Sequence, residues 1–102
     1  MIPFSDEIEK IKEQIVNRYH PAKIILFGSC AARCAKKNSD IDLCIRCSYE
    51  SKKEMLMGIL INIECDRDVD FILYRQAQYD EYKKDSATFA SLIDRKGVCI
   101  YG

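Results

Sequence analysis

Hydrophobic positions at the start of the chain follow a helical period and then give way to a continuous apolar run. The helical stretch has apolar residues three or four positions apart, at Ile8, Ile11, Ile15, Val16 and Tyr19. This spacing predicts a helix over Ser5–Tyr19 with Ser5 as its N-cap. Pro21 disfavours helical geometry in the residue before it, and the run Lys23–Phe27 then predicts a buried strand.

The middle of the chain predicts a short helix, a second strand and a longer helix. The alanine-rich segment 30–37 favours a helix, and 40–46 alternates as a strand. Ser51 and Glu54 form a capping box ahead of a helix over 51–64. The apolar face that we expect this helix to bury comprises Met55, Leu56, Ile59, Leu60 and Ile63.

The last third predicts a third strand, one or two helices and a short edge strand. Residues 69–73 are strand-like, and Val98–Tyr101 follows the helix end at Gly97. The helical part between them carries its apolar residues at Tyr79, Tyr82, Phe89, Leu92 and Ile93. Strands that alternate with helices predict an α+β or α/β fold in two layers.

Composition and charge restrict the classes of protein. The 102 residues predict one domain over 1–102, and 48% hydrophobic with 31% charged residues is typical of a globular protein. Sixteen basic residues balance sixteen acidic ones, which argues against non-specific binding to nucleic acid or anionic lipid. The longest apolar stretch, 55–61, is too short to span a membrane, and the first ten residues do not resemble a secretion signal. We therefore expect a cytoplasmic protein whose six cysteines are reduced.

Carboxylates follow the alternation of two predicted strands. Asp40 and Asp42 are two residues apart, so they share one face of their strand, whereas Ile41 points to the opposite, core side. Asp70 begins another strand and is expected to join them. Three converging carboxylates repel one another, and a hard divalent cation with oxygen ligands relieves that repulsion. The pattern predicts a Mg²⁺ site.

A glycine turn precedes these carboxylates. Gly28 lets the backbone approach a phosphate closely, and Ser29 opens the next helix, whose N-terminal amides favour anions. A nucleoside triphosphate between this turn and the metal would have its α-phosphate polarised while a hydroxyl attacks it. The combination predicts nucleotidyl transfer.

These residues resemble a known family. Gly28-Ser29, ten intervening residues, Asp40-x-Asp42 and the later Asp70 are similar to the minimal nucleotidyltransferases of the DNA polymerase beta superfamily. The resemblance implies a small mixed sheet flanked by helices, ATP as donor and two Mg²⁺ ions. It also implies that Gly28 and Ser29 hold the triphosphate, that Asp40 and Asp42 ligate both metals, and that Asp70 completes one metal site and assists deprotonation.

The resemblance also implies a partner. Short stand-alone members of this family are often antitoxins of all-helical HEPN ribonuclease toxins, and the best-understood ones add AMP to a tyrosine of the toxin. The chain departs from the family at one place. The family usually has Arg or Lys three residues after the serine and then glycine, whereas Ala32 and Arg33 stand there. Arg33 remains a candidate phosphate ligand from one position along.

Several alternatives stay open. Asp66 or Asp68 could replace Asp70 as the third metal ligand, and four thiolates could hold zinc, from Cys30, Cys34, Cys44 and Cys47. A non-catalytic module that neutralises its partner by covering it is a second functional hypothesis. A transferase acting on a small molecule or on RNA is a third. The acceptor site is expected to be completed by another protein, in a homodimer or a hetero-oligomer.

Overall fold

A computed structural model describes residues 3–102 and forms five helices and four strands there. In chain order these are α1 Ser5–Tyr19, β1 Lys23–Phe27, α2 Gly28–Ala31, β2 Ile41–Arg46, α3 Lys52–Asn62, β3 Val69–Tyr74, α4 Gln76–Tyr82, α5 Phe89–Lys96 and β4 Val98–Tyr101. No helix within 3–102 is long and apolar enough to cross a membrane.

The four strands form one mixed sheet in the order β3-β2-β1-β4. Strand β1 is antiparallel to both of its neighbours, β2 and β4, whereas β2 and β3 are parallel. A parallel pair needs a crossover connection, and α3 supplies it. The register places Asp42 beside Phe27 on one side and beside Asp70 on the other.

Helices cover both faces of the sheet. The larger hydrophobic cluster joins α1 and α3 to one face, with Ile11, Ile15 and Ile59 almost completely buried. A smaller cluster on the opposite face joins α4 and α5 to the central strands through Tyr79, Ala90, Ile93, Ile25 and Cys44. The expectation of a small mixed α+β sheet flanked by helices is confirmed, with the second cluster forming a further layer.

The element boundaries follow the sequence closely except at some ends. The prediction of Ser5 as the N-cap of α1 is wrong by one residue, because Ser5 is already helical and the helix begins one residue earlier than expected. The N-cap is Phe4, which has a left-handed conformation and makes no side-chain cap hydrogen bond. The prediction of Ser51 as the N-cap of α3 is confirmed, since the Ser51 hydroxyl accepts a hydrogen bond from the Glu54 N–H at 3.3 Å. The expected burial of Leu60 is wrong, because that side chain is 58% exposed.

The predicted helix over 30–37 is wrong. Helix α2 is a single turn, Gly28–Ala31, that ends in a Schellman motif. The Cys34 N–H donates to Ser29 O at 3.0 Å, and the Arg33 N–H donates to Cys30 O at 3.2 Å. This pairing requires Arg33 to adopt a left-handed conformation, with φ of 60°. The alanine propensity therefore does not extend the helix beyond one turn.

Candidate functional site

The end of β1 brings a glycine turn against β2. Gly28 has φ of 73°, a conformation that favours glycine. Its backbone also lies so close to Asp42 that a Cβ on residue 28 would overlap Oδ2 of that carboxylate. The cause is the antiparallel register, which places Phe27 directly beside Asp42. Glycine is therefore required here for both its conformation and its lack of a side chain.

A second carboxylate lies beside Asp42 on β3. Asp42 and Asp70 are partners in the parallel register, and their carboxyl groups are within hydrogen-bonding reach of each other. Partial burial raises the pKa of Asp42 to about 6, with further contributions from the charge of Asp70, the hydrogen bond with it and the charge of Asp40. The two side chains share the sheet face that α4 and α5 cover farther along, at Cys44.

Asp40 stands just before β2 and is exposed. Its carbonyl accepts a weak hydrogen bond from the thiol of Cys30 at 3.7 Å, which ties this residue to α2. Asp40 makes the smallest of the contributions to the raised pKa of Asp42. Across residues 3–102, no group of three or more His, Cys, Asp or Glu side chains already stands in a metal-ligating arrangement. Of the three predicted metal ligands, Asp42 and Asp70 are therefore the two whose carboxyl groups lie beside each other.

The two alternative aspartates face elsewhere. Asp66 and Asp68 are exposed and lie in the loop before β3. The charges of Asp66 and Asp68 help to raise the pKa of Cys65, after the larger effect of its partial burial. Both aspartates line a surface groove beside Leu60. The backbone carbonyl of Asp68 accepts from the Ile41 N–H at 3.0 Å. Of the three candidates, Asp70 is the carboxylate that the fold pairs with Asp42.

The glycine turn continues into the single-turn helix α2. Ser29 is half-buried at the start of that turn, and Arg33 is exposed at its end. Because α2 has four residues, its dipole supplies little of the anion attraction that a longer helix would give. Any phosphate held here is therefore held by local backbone groups and side chains.

An apolar cleft that the sequence did not predict opens beside Gly28. It has a volume of about 300 Å³ and lies between the end of β1, α2 and the outer side of α5. The Phe27 and Phe89 rings meet edge to face there, with centroids 5.5 Å apart. Phe89 and Leu92 are 44% and 41% exposed. Their position three residues apart, beside the buried Ile93, is the pattern that could have indicated a second apolar side of α5.

The cysteines do not surround one point. Cys30 and Cys47 belong to the cluster under α1 and α3, Cys44 belongs to the cluster on the opposite face of the sheet, and Cys34 is exposed. Burial raises the pKa of Cys44 to about 12, which disfavours the thiolate that zinc requires. These four thiols therefore do not form the alternative zinc site.

A comparison with protein-family models finds one match. The model described as "Polymerase beta, Nucleotidyltransferase" matches residues 9–102, which include the glycine turn and every carboxylate discussed above. No curated protein matches the chain. The match extends over nearly the whole sequence and agrees with the mixed sheet and its helices. The chain therefore belongs to the polymerase beta nucleotidyltransferase family.

Proposed function

We propose that this nucleotidyltransferase uses Mg²⁺ to move AMP from ATP to a hydroxyl group, that of a tyrosine, on a partner HEPN ribonuclease, and that it acts as the antitoxin of that pair. The observation that carries the transfer reaction is the contact of Gly28 with Asp42, next to Asp70. It brings a backbone suited to phosphate and a pair of carboxylates suited to Mg²⁺ to the same point of the fold.

The carboxylates fit a cation because of their chemistry. The raised pKa of Asp42 reflects its partial burial and the nearby negative charges of Asp70 and Asp40, and a bound cation would relieve the repulsion among these carboxylates. Asp40, Asp42 and Asp70 would hold Mg²⁺ through oxygen ligands. When bound, the ion supplies positive charge that stabilises the triphosphate and polarises its α-phosphate.

The residues of the chain then have separate tasks. Gly28 and Ser29 hold the triphosphate, and Arg33 is the candidate cation for its outer oxygens. Asp70 takes the proton of the attacking hydroxyl as that oxygen forms its bond to the α-phosphorus. The bond from the α-phosphorus to the bridging oxygen breaks, and pyrophosphate leaves with the electron pair.

A protein acceptor is supported by the surface beside the turn. The cleft at Gly28 exposes Phe27, Phe89 and Leu92, and exposed aromatic clusters are typical of protein-binding surfaces. The balanced charge of the chain gives no basic footprint for an RNA acceptor. The HEPN identity and the tyrosine acceptor rest on the resemblance of the motif to minimal nucleotidyltransferases.

The test is the intact mass of the protein encoded beside this gene, after incubation with this chain, ATP and Mg²⁺. We expect one or more AMP increments, with loss of the increment in the Asp40→Ala, Asp42→Ala double variant. The matched control is Asp85→Ala, which removes an exposed carboxylate in the loop before α5 and is expected to transfer normally. Undiminished transfer by the double variant would show that these carboxylates are not the metal ligands.

One observation favours a second candidate function. Arg33 occupies the place where the family has glycine, and the preceding place, where the family has its basic residue, is Ala32. A weakened phosphate site would suit a non-catalytic module that neutralises its partner by covering it. A stable complex without an AMP increment, and full neutralisation by the Asp40, Asp42 double-alanine variant, would favour this candidate.

A further inference from the structure

Helix α3 carries large apolar side chains on the side that faces away from the sheet. Met57, Leu60 and Ile61 are 52%, 58% and 76% exposed, and we call these three residues the α3 patch. Leu60 and Ile61 stand three and four residues after Met57, so all three side chains lie on neighbouring positions of one helix surface. Exposed large apolar side chains that cluster on one helix indicate an interaction surface.

The orientation of α3 is fixed by its inner side. Ile59 is completely buried in the core. Gly58 faces α1, where a Cβ on this residue would lie 3.3 Å from the Tyr19 hydroxyl. The Asn62 side-chain amide donates to the same hydroxyl at 3.3 Å. Because these contacts hold one side of α3 against α1, a rotation that buried the α3 patch would expose Ile59. The α3 patch therefore stays exposed in the single chain.

The charges at the two ends of the patch are opposite. Lys52 and Lys53 begin α3, whereas Glu64 and Asp66 follow its end, and all four side chains are exposed. This distribution opposes the helix dipole, which favours acidic residues at the N-terminus and basic residues at the C-terminus. Glu54 in the first turn is an exception, since its charge agrees with the dipole. The exposed Lys53 and Glu64 still give the two ends of the patch opposite charges.

Arg67 does not neutralise the acidic end. Its guanidinium stacks 3.6 Å from the centre of the Phe4 ring, lies 3.4 Å from Glu7 and donates to the Lys37 carbonyl at 2.6 Å. These three contacts direct it toward α1 and the loop after α2. Lys10 of α1 lines a small pocket beside Glu64 and Asp66, but no salt bridge within residues 3–102 joins a basic side chain to either carboxylate.

We propose that the α3 patch binds a second copy of this chain, through an antiparallel, two-fold pairing of the two α3 helices. In that arrangement Lys53 of one copy faces Glu64 of the other, and Met57 of one packs against Leu60 of the other. Each contact occurs twice, because a two-fold interface joins the same surface patch on both subunits. The charge pattern is complementary to itself only in the antiparallel direction, since a parallel pair would place like charges together.

This pairing is independent of the proposed reaction. Asp42 and Asp70 lie on the face of the sheet that α4 and α5 cover farther along, at Cys44, whereas α3 covers the other face. The dimer therefore leaves the carboxylates and the cleft at Gly28 accessible. Its test measures mass and requires no catalytic activity.

The test is sedimentation equilibrium of the full chain with a reducing agent, which prevents a disulfide through the exposed Cys65. We expect twice the monomer mass at micromolar concentration, and dissociation by Leu60→Asp. Lys53→Glu and Glu64→Lys should each weaken the dimer about tenfold or more, because each variant has two like-charge contacts. Lys84→Glu, an exposed change on the loop after α4, is the matched control and should stay dimeric.

Mixing the two weakened variants gives the decisive result. A pair made of one Lys53→Glu chain and one Glu64→Lys chain has two attractive contacts, so the mixture should form a dimer more tightly than either variant does alone. Added salt should reduce this difference, since the contacts are exposed ion pairs. The proposal would be overturned by a monomeric wild-type chain, or by a mixture that dimerises no better than the separate variants. Either result would indicate that the α3 patch binds a different protein.

Discussion

The backbone of Gly28 lies against the carboxylate of Asp42, at a distance that leaves no room for a Cβ. Gly28→Ala must displace that carboxylate and also hold alanine at φ of 73°. We expect a loss of about 1–2 kcal/mol in the free energy of unfolding from the left-handed conformation. We expect a larger effect on AMP transfer, tenfold or more, because the displaced group is a proposed metal ligand.

The measurements for Gly28→Ala are urea unfolding and the initial rate of transfer. Gly58→Ala is the matched control, since Gly58 is in the middle of α3 and the added Cβ meets only the Tyr19 hydroxyl at 3.3 Å. This control should keep its activity and its stability, because alanine favours a helix over glycine. Equal activity of Gly28→Ala and wild type would contradict the assignment of the turn to the active site.

Asp42→Asn should make the metal-free protein more stable while it abolishes transfer. The amide keeps the shape of the side chain but removes the charge that burial and Asp70 disfavour. The thermal midpoint in EDTA at pH 7.5 tests the first half. Asp66→Asn, at an exposed aspartate of the loop before β3, should leave that midpoint unchanged. A destabilised Asp42→Asn protein would mean that the carboxylate makes a favourable contact.

The same carboxyl group predicts a pH dependence of stability. Its pKa is about 6 in the folded chain and 3.8 as the ordinary value, so between these values the folded state binds more protons than the unfolded state. Stability therefore falls as pH rises through this window. The measurement is the difference in thermal midpoint between wild type and Asp42→Asn from pH 4 to pH 7, without metal. We expect wild type to lose stability relative to the variant as pH rises.

Mg²⁺ should reverse this relationship. A cation that binds only the folded chain stabilises it in proportion to the logarithm of its concentration. We expect millimolar Mg²⁺ at pH 7.5 to raise the thermal midpoint of wild type and to leave that of Asp42→Asn nearly unchanged. An equal rise in both proteins would indicate ion binding away from Asp42.

The alternation of the strands predicted much of the site. Ile41 and Leu43 point to the core, and Asp42 points to the other face, because side chains alternate strictly along a strand. The sequence also indicated Asp70, as a polar residue in an otherwise apolar strand. Its distance from Asp42 depends on the register of two parallel strands, which only the folded chain fixes.

Two features escaped sequence reasoning for physical reasons. Helix α3 is apolar on nearly every side, so no periodicity distinguishes the exposed Leu60 from the buried Ile59. The end of α2 depends on hydrogen bonds to Ser29 and Cys30 that force Arg33 into a left-handed conformation. Residue propensities favour a longer helix over this alanine-rich segment, but that conformation ends it.

Arg33 has a left-handed backbone conformation, which favours glycine, and it stands where the family usually has glycine. An arginine at φ of 60° costs about 1 kcal/mol relative to glycine, which adopts such a conformation freely. Ala32 has ordinary helical angles, φ of −78° and ψ of −5°, and would accept an arginine without strain. The double variant Ala32→Arg, Arg33→Gly therefore restores the order of residues that the family usually has.

We expect this double variant to unfold at higher urea concentration than wild type, and to bind ATP more tightly if a basic residue at position 32 reaches the phosphates. Arg33→Gly alone should gain the same stability but lose ATP affinity, which separates the backbone effect from the charge. Ala32→Gly, at a position of negative φ, is the matched control and should be destabilised. A double variant no more stable than wild type would contradict the strain at Arg33, since the remaining contacts of the turn are backbone hydrogen bonds that both proteins share.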